Sequence, residues 1–417
     1  PSESAASAES SRMGGGVETY VLNLLSRSRA AGIEPLLAFA RDGSADVTVE
    51  AWHVPELGSR KLAAESAGRK RMLQLLREIK PDVVHLHNTF NLGAIAACLS
   101  TCPTIATAHG YQFVCPAEDF FQHRGRAICE RTCGPACFAQ TLSHRCMSLR
   151  PRHAIASYRR VQWAIRNRSQ FAGLIAPCRR AAQRHIAAGF DRSQVHILPY
   201  FCPVVPLSAP RDQPVRPTIT FIGRLREYKG IAYFIRLLSQ LPSTVRGLMV
   251  GDLTSESSRM LRRMAVDAGC DQRLELRGWV SRERIHELLG ETSVVVFPSI
   301  WPETLGIVGL EALAHGVPVS AFDVGGVEEW LQDGVTGALV PVKDTELLVE
   351  CTSRLLFDHN LAADIGQRGI ALMRDKFCPD LHMKNLSELY HHITSSSAGP
   401  VHEVENTLAP VAYLKGG

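Results

Sequence analysis

The chain reads as an α/β protein of two doubly wound domains facing a cleft, and three observations predict this. Short β-branched runs alternate with amphipathic stretches along almost the whole sequence, the pattern of parallel sheets covered by helices on both faces. A length of 417 residues exceeds what one core usually organises. Six prolines fall between Pro199 and Pro217, where no hydrophobic period exists, so that stretch reads as a connection. Ligand is expected in the cleft between the two units.

Strands are expected at 35–40, 83–87, 104–108, 173–176 and 195–198, with helical patterns at 17–31, 69–79, 92–100, 153–168 and 179–188. The second half alternates more cleanly, with strands at 218–222, 247–250, 274–277, 294–297, 317–322 and 338–340. The expected division is a first domain over 1–200, a linker over 201–217 and a second domain over 218–377. A Cys- and Arg-rich insertion occupies about 111–170 of the first. Gly14-Gly15-Gly16 follows only polar, Ser-rich residues, whereas such a domain normally opens with a buried strand. The expectation is a missing or truncated first strand, against a fold that closes without one.

Composition narrows the class. Hydrophobic residues at 45% and charged residues at 21% exclude a mainly disordered chain. A net charge of +5 names no partner by itself, and twelve cysteines suggest a reducing compartment and not a disulfide scaffold. No apolar run approaches a membrane span, and Pro1–Ser10 is too polar for a signal peptide. The expected location is cytoplasmic.

Four local features point to a diphosphate. Gly14-Gly15-Gly16 leads into a helical pattern, and a helix N-terminus presents free N–H groups with a partial positive charge. Alone, that is more often a simple turn. Gly223-Arg224 ends the second domain's first strand, and Lys229-Gly230 opens the next helix. An arginine that grips two oxygens and a lysine point charge suit a diphosphate, while Arg226 and Glu227 read as a solvated loop. Phe297–Val319 runs strand, loop, helix, strand, with Glu303 beside the helix N-terminus and Glu311 on an otherwise apolar face. A carboxylate there is costly unless donors meet it, and sugar hydroxyls are donors. Val324-Gly325-Gly326 is a further glycine turn, as consistent with a plain turn as with ribose or phosphate contact.

Gly223-Arg224-x4-Lys229-Gly230 followed by Pro298-Ser299-x3-Glu303-x7-Glu311-Ala312 closely resembles the retaining nucleotide-sugar glycosyltransferases of family 4. Gly14–Thr19, Pro81–His87 and the His109-Gly110 pair are similar to that family's N-terminal domain. The resemblance implies a GT-B fold of two Rossmann-like domains, with a helix over 378–394 crossing back to the first and a loose tail over 395–417. It implies transfer of a hexosyl group from a UDP- or GDP-sugar to a glycan or lipid-linked acceptor, in polysaccharide or glycoconjugate assembly. Glu303 would bind sugar hydroxyls and Glu311 the ribose. Arg224 and Lys229 would neutralise the leaving diphosphate, with Gly223 and the N–H groups of Gly15, Gly16, Thr304, Leu305 and Gly306. His109 would sit by the sugar at the reacting face. Retention is attributed in the family to front-face attack with the leaving phosphate as base. No Asp-x-Asp occurs in the chain, so catalysis needs no metal cofactor. Two alternatives stand beside this: a sugar-nucleotide epimerase on the same fold, and a catalytically silent binding relative. His85 and His87 read simply as strand-end residues.

Cys115, Cys129, Cys133, Cys137 and Cys146 fall within 32 residues and are expected on loops. Four loop thiolates suit a structural zinc, through Cys115, Cys129, Cys133 and Cys137 with Cys146 as substitute, against buried or free thiols. From Phe121 to Phe190 there are thirteen arginines, no lysine and one acid, Glu130, a net +12 that leaves −7 elsewhere. In 153–168, Ile155, Tyr158, Val161 and Ile165 share one face flanked by arginines. That region suits an anionic membrane surface, placing the protein peripherally at the inner face, or else a solvated face. Nucleic acid is not expected, because no stacking aromatics interleave with the arginines.

An upstream extension supplying the first strand should raise the melting temperature, because each unpaired buried backbone group costs roughly 1–3 kcal/mol. Equal melting temperatures for the two lengths would refute this.

Overall fold

The computed structural model describes residues 16–40, 49–209 and 213–396. The first half carries β1 (Leu36–Phe39), β2 (Glu50–His53), β3 (Val84–His87), β4 (Thr104–Thr107), β5 (Phe121–Gln122), β6 (Ala127–Ile128), β7 (Gly173–Ala176) and β8 (Val195–Ile197). Strands β3, β4, β7 and β8 form one parallel sheet in that order; β1 and β2 form a separate parallel pair. The expected absence of a strand before Gly16 lies outside the described residues, as does 397–417 of the expected tail.

The second half carries β9 (Thr218–Ile222), β10 (Arg246–Val250), β11 (Leu274–Arg277), β12 (Val294–Phe297), β13 (Val319–Phe322) and β14 (Gly337–Val340). They form one parallel sheet ordered β11-β10-β9-β12-β13-β14. Strands β9 and β13 are buried throughout, as a sheet covered on both faces requires. The covering helices are amphipathic. In Ile231–Gln240, Ile231, Phe234, Ile235, Leu237 and Leu238 are buried. Strand order reverses between β9 and β12, and in open α/β sheets ligands bind beyond the strand C-termini at that point. Arg224 follows β9 and Glu303 follows β12.

Three features depart from the sequence pattern. The expected connection is built into the core: Tyr200, Phe201, Cys202 and Val204 are buried, and the Cys202 N–H donates to the Phe377 carbonyl at 2.7 Å. Proline density there signals irregular backbone, not exposure. Cys137, expected on a loop, lies in a helix, Ala136–His144, which starts directly after Pro135. Pro135 blocks a helix before it and suits the first turn of one after it. The third is the β5–β6 hairpin, with two residues per strand and too short to show a period.

Helix Pro379–Ser396 lies against the first half. Its His382 shares hydrogen bonds with Tyr20 and the Pro199 carbonyl, each at 2.9 Å, and its Tyr390 bonds His85 at 2.6 Å. Among the described residues no helix is long and apolar enough to cross a membrane.

Candidate active site

The two loops at the β9/β12 reversal are pressed together because glycines let them be. Gly230 has φ +84°, and a Cβ there would lie 1.8 Å from the Pro298 carbonyl oxygen. Its left-handed turn brings Lys229 to Glu303, with Nζ to Oε1 at 2.6 Å. Glu303 is 5% exposed. The Lys229 ammonium also lies 4.8 Å from the centre of the Trp301 ring. Gly325, with φ +52°, backs the loop: a Cβ there would come within 1.9 Å of the Glu303 carbonyl oxygen, while the Gly326 N–H donates to that oxygen at 2.8 Å. The second glycine turn therefore braces the Glu303 loop.

Around this pair the cations differ. Arg226 pairs with Asp252 at 2.8 Å, and Glu227 pairs with Arg126 of the first half. Arg224 is exposed and, among the described residues, its guanidinium makes no hydrogen bond or ion pair. It follows Gly223, the last residue before the loop, whose N–H donates to the Val250 carbonyl at 3.0 Å.

Two helix N-termini meet at the same place. Thr304, Leu305 and Gly306 lead into helix Ile307–Ala314, and helix Gly16–Ser28 starts beside it. A Cβ on Gly16 would sit 3.6 Å from Ile307 Cδ1. The partial positive charges of both helices therefore point into one volume. Gly14 and Gly15 lie outside the described residues. Glu311 is buried inside the second helix, 3% exposed.

From the first half, the His109 carbonyl accepts from the Thr304 hydroxyl at 3.3 Å, and the Tyr111 hydroxyl donates to the Pro302 carbonyl at 3.2 Å. The His109 ring is not free. Its Nδ1 bonds Tyr200 at 2.7 Å and its Nε2 bonds His87 at 2.8 Å. His85 bonds Thr107 at 2.7 Å as well as Tyr390. His85 and His87 thus belong to a buried polar network that reading them as strand ends missed. The available signal was their spacing: alternate residues of a strand share one face. Burial keeps these imidazoles neutral. It lowers His87 to about 3 and His382 to about 4, and pushes His85 and His109 well down too, aided by neighbouring imidazoles.

Residues 14–202 match the family described as Glycosyltransferase Family 4, and residues 216–358 match Glycosyl transferases group 1. The chain belongs to the family 4 glycosyltransferases. Similar to it is an alpha-D-kanosaminyltransferase of Streptomyces kanamyceticus, 29% identical over 43% of this chain and 46% of that one. So is a lipopolysaccharide core biosynthesis glycosyltransferase of Rhizobium meliloti, 31% identical over 39% and 45%. The chain spans about half the length of the curated relatives it matches. Its fold is that of sucrose-phosphate synthase from Thermosynechococcus elongatus (TM-score 0.67 to 0.71 for this and the next; here 0.71, 17% identity, 92% and 94% covered). Anabaena HepE, solved with UDP, gives 0.67 at 19% identity, with 90% and 96% covered. The fold is GT-B.

In this family 4 chain the clustered cysteines share one cavity. Cys115, Cys129, Cys133, Cys137 and Cys146 line one apolar cavity with Phe120, Phe121 and Met147. Yet among the described residues no three His, Cys, Asp or Glu side chains converge closely enough to hold a metal ion. The sulfurs have other partners. Cys146 bonds the Thr141 hydroxyl and Cys133 accepts from the Gln162 amide, each at 3.8 Å. Burial pushes the Cys115 thiol up to about 12.

The arginine belt divides into an ion-paired set, an exposed set and Arg168, which donates to the Ile165 and Gly189 backbone carbonyls. Arg126, Arg159, Arg160, Arg179, Arg180 and Arg184 are in ion pairs. Arg160, expected on a flank, is instead buried, paired with Glu118 at 2.7 Å and bonded to the Gln112 carbonyl. Arg124, Arg131, Arg145, Arg150, Arg152 and Arg166 are exposed. Beside them Leu142, Leu149 and Ile155 are more than half exposed, at 74%, 56% and 57%.

Because the buried imidazoles have lowered folded pKa values, the unfolded chain binds more protons below the ordinary value of about 6.5. Stability should be full above that pH and fall as pH drops toward 4, each such group adding up to about 1.4 kcal/mol per pH unit. Urea titrations from pH 7.5 to 4.5 test this. His382→Gln should show a shallower fall than the parent, and an equal slope would remove His382 from the account.

Proposed function

We propose that this chain transfers a hexosyl group from a nucleoside-diphosphate sugar, with retention of configuration and without a catalytic metal. The observation that carries the proposal is the convergence of Arg224, Lys229, Glu303 and two helix N-termini at the β9/β12 reversal. Sugar transfer builds negative charge on the departing diphosphate, and fixed donors aimed at that charge act where it develops. Arg224 has its guanidinium available for phosphate oxygens. Lys229 and Glu303 hold each other in place, and a donor would exchange that pairing for diphosphate on the ammonium and sugar hydroxyls on the carboxylate. Glu311 would hold the ribose, with the backbone of Thr304, Leu305 and Gly306 facing the phosphates. HepE has been solved with UDP-glucose, which supports a nucleotide-sugar donor here.

His109 enters this scheme as a positioning residue. Both ring nitrogens are engaged and its pKa is depressed, so it is not a proton carrier. Its carbonyl fixes Thr304. The leaving phosphate serves as base for the incoming acceptor hydroxyl, which keeps attack on the face the phosphate leaves.

The acceptor is a glycan or lipid-linked saccharide, presented at an anionic membrane face. The exposed apolar residues Leu142, Leu149 and Ile155, set among arginines that form no ion pair among the described residues, support peripheral binding.

Two measurements test this reading. A thermal-shift screen of UDP, GDP, ADP and TDP with their sugars should identify a stabilising donor, since ligands bound only by the native state raise its stability. With that donor, Arg224→Ala or Lys229→Ala should lower turnover at least about 100-fold, the scale of losing a transition-state charge partner; near-normal turnover in either would refute the assignment. In the second, the protein should co-sediment with vesicles containing phosphatidylglycerol and not with phosphatidylcholine alone. Arg150→Glu with Arg152→Glu should abolish the difference, and binding independent of lipid charge would count against a membrane role.

A further inference from the structure

Between the two phosphate cations stands an aromatic residue that the donor chemistry leaves unused. Tyr228 lies between Arg224 and Lys229, and its backbone fixes it there. Its carbonyl accepts from the Ile300 N–H at 2.9 Å and from the Ser299 hydroxyl at 3.4 Å. The ring is half-buried, and its hydroxyl makes no hydrogen bond among the described residues. Burial pushes that hydroxyl up, and the charges of Arg224, Arg226, Glu303 and Asp119 act on it. Trp301, the ring beside the Lys229 ammonium, meets Tyr228 at 5.9 Å between centres. The Trp301 indole N–H is buried and has no partner among the described residues.

The first half brings a polar pair to the same ring. Asp119 enters the β5–β6 hairpin, and one of its carboxylate oxygens accepts from the Phe121 N–H at 3.0 Å. The other oxygen lies 3.3 Å from His123 Nε2. Phe121 and His123 stand with ring centres 6.2 and 6.3 Å from Tyr228. Arg126, in the hairpin's turn, pairs with Glu227, the residue before Tyr228. His123 is exposed and Asp119 partly so, which leaves both open to a ligand.

This mixture of groups matches one chemistry. A pyranose carries a face of C–H bonds and a rim of hydroxyls. Aromatic rings present a negative face to such C–H groups, and a carboxylate accepts hydroxyl hydrogens in charge-assisted bonds. Resting on the transferase reading, we propose that Asp119, His123, Tyr228 and Trp301 form the subsite for the acceptor's terminal hexopyranose. Asp119 and His123 take its hydroxyls, while Tyr228 and Trp301 pack against its C–H face. Glu303 is already committed to the donor sugar, and Asp119 and His123 come from the other half of the chain. Attack on the face that the phosphate leaves needs the acceptor hydroxyl beside the diphosphate. Tyr228 adjoins Lys229, so a sugar ring against it lies where that hydroxyl must be.

Saturation-transfer NMR on the full-length protein, with UDP or GDP present, tests this using the methyl glycosides of glucose, galactose, mannose and N-acetylglucosamine. A methyl glycoside has no phosphate to lose, so it reports on the acceptor position. At least one should show contact through its ring protons. Asp119→Asn keeps an oxygen for the Phe121 N–H, so the hairpin keeps its cap. In that variant the dissociation constant should rise at least about 10-fold, the scale of a hydrogen bond to a charged group. Tyr228→Phe keeps the ring and should weaken binding only slightly, whereas Tyr228→Ala should abolish the contact. Contact from none of the glycosides would overturn the subsite, as would unchanged affinity in Asp119→Asn or retained contact in Tyr228→Ala. Displacement by UDP-glucose or GDP-mannose, but not by UDP or GDP, would put the glycoside in the donor sugar's place and overturn it too. Stabilisation by UDP or GDP should be equal in the parent, Asp119→Asn and Tyr228→Phe. Failure of the transferase reading shows as no stabilisation by any nucleotide, and failure of the subsite as glycoside binding absent or unaltered, so the two are separable.

Discussion

The arrangement turns on one segment, Pro302-Glu303-Thr304, which makes four bonds to three separate loops within three residues. The Glu303 carboxylate meets Lys229, its carbonyl meets Gly326, the Pro302 carbonyl meets Tyr111, and the Thr304 hydroxyl meets the His109 carbonyl. A buried carboxylate–ammonium pair adds little net stability, because desolvation offsets most of the attraction. Removing one partner alone is a different matter, costing about 3–5 kcal/mol through the stranded charge. The pair therefore fixes where the loops must lie more than it tightens the fold. Glycines at 230 and 325 follow from it: any side chain at either would occupy the space of the carbonyls that hold the loop.

Charge works similarly at longer range. Arg179 and Arg180 of the first half reach Glu329, Asp323 and Glu328 of the second, and Arg126 reaches Glu227. These side chains are partly exposed, so each pair is worth about 0–1 kcal/mol. Their contribution is orientation. A basic first half and an acidic remainder attract across the cleft, and the pairs set which faces meet. Arg160 is the exception, since its side chain is only 8% exposed and it anchors the loop that follows His109.

The second half was largely legible because its strands are buried on both faces and so appear as uninterrupted apolar runs, such as Val294–Phe297. Its site motifs were legible for a related reason: Gly223 and Glu303 lie beyond the ends of those runs, where only a turn or a ligand explains a glycine or a carboxylate. The first half was less so. Strand β2 is mostly exposed and carries no alternation. Tyr20, Tyr200, His382 and Tyr390 come together from positions up to 370 residues apart, and no local spacing signals a network whose members meet only through the fold. The helix that carries Cys137 was hidden for the converse reason: Pro135 signals a break, yet it also suits the first turn of the helix that follows it.

The buried ring network has a consequence for how the returning helix is held. It starts where the Thr304 hydroxyl meets the His109 carbonyl and joins the rings of Tyr200, His109 and His87, and a neighbouring branch joins His85 to Tyr390 on helix Pro379–Ser396. His85 and His87 themselves touch, with ring centres 4.0 Å apart. Every member is uncharged, and each hydrogen bond is between neutral groups. Such bonds are worth about 0.5–1.5 kcal/mol net, but leaving one unmade inside the protein costs about 1–3 kcal/mol. The rings belong to the first half, the connection and the returning helix, so their bonds tie helix Pro379–Ser396 to the first half.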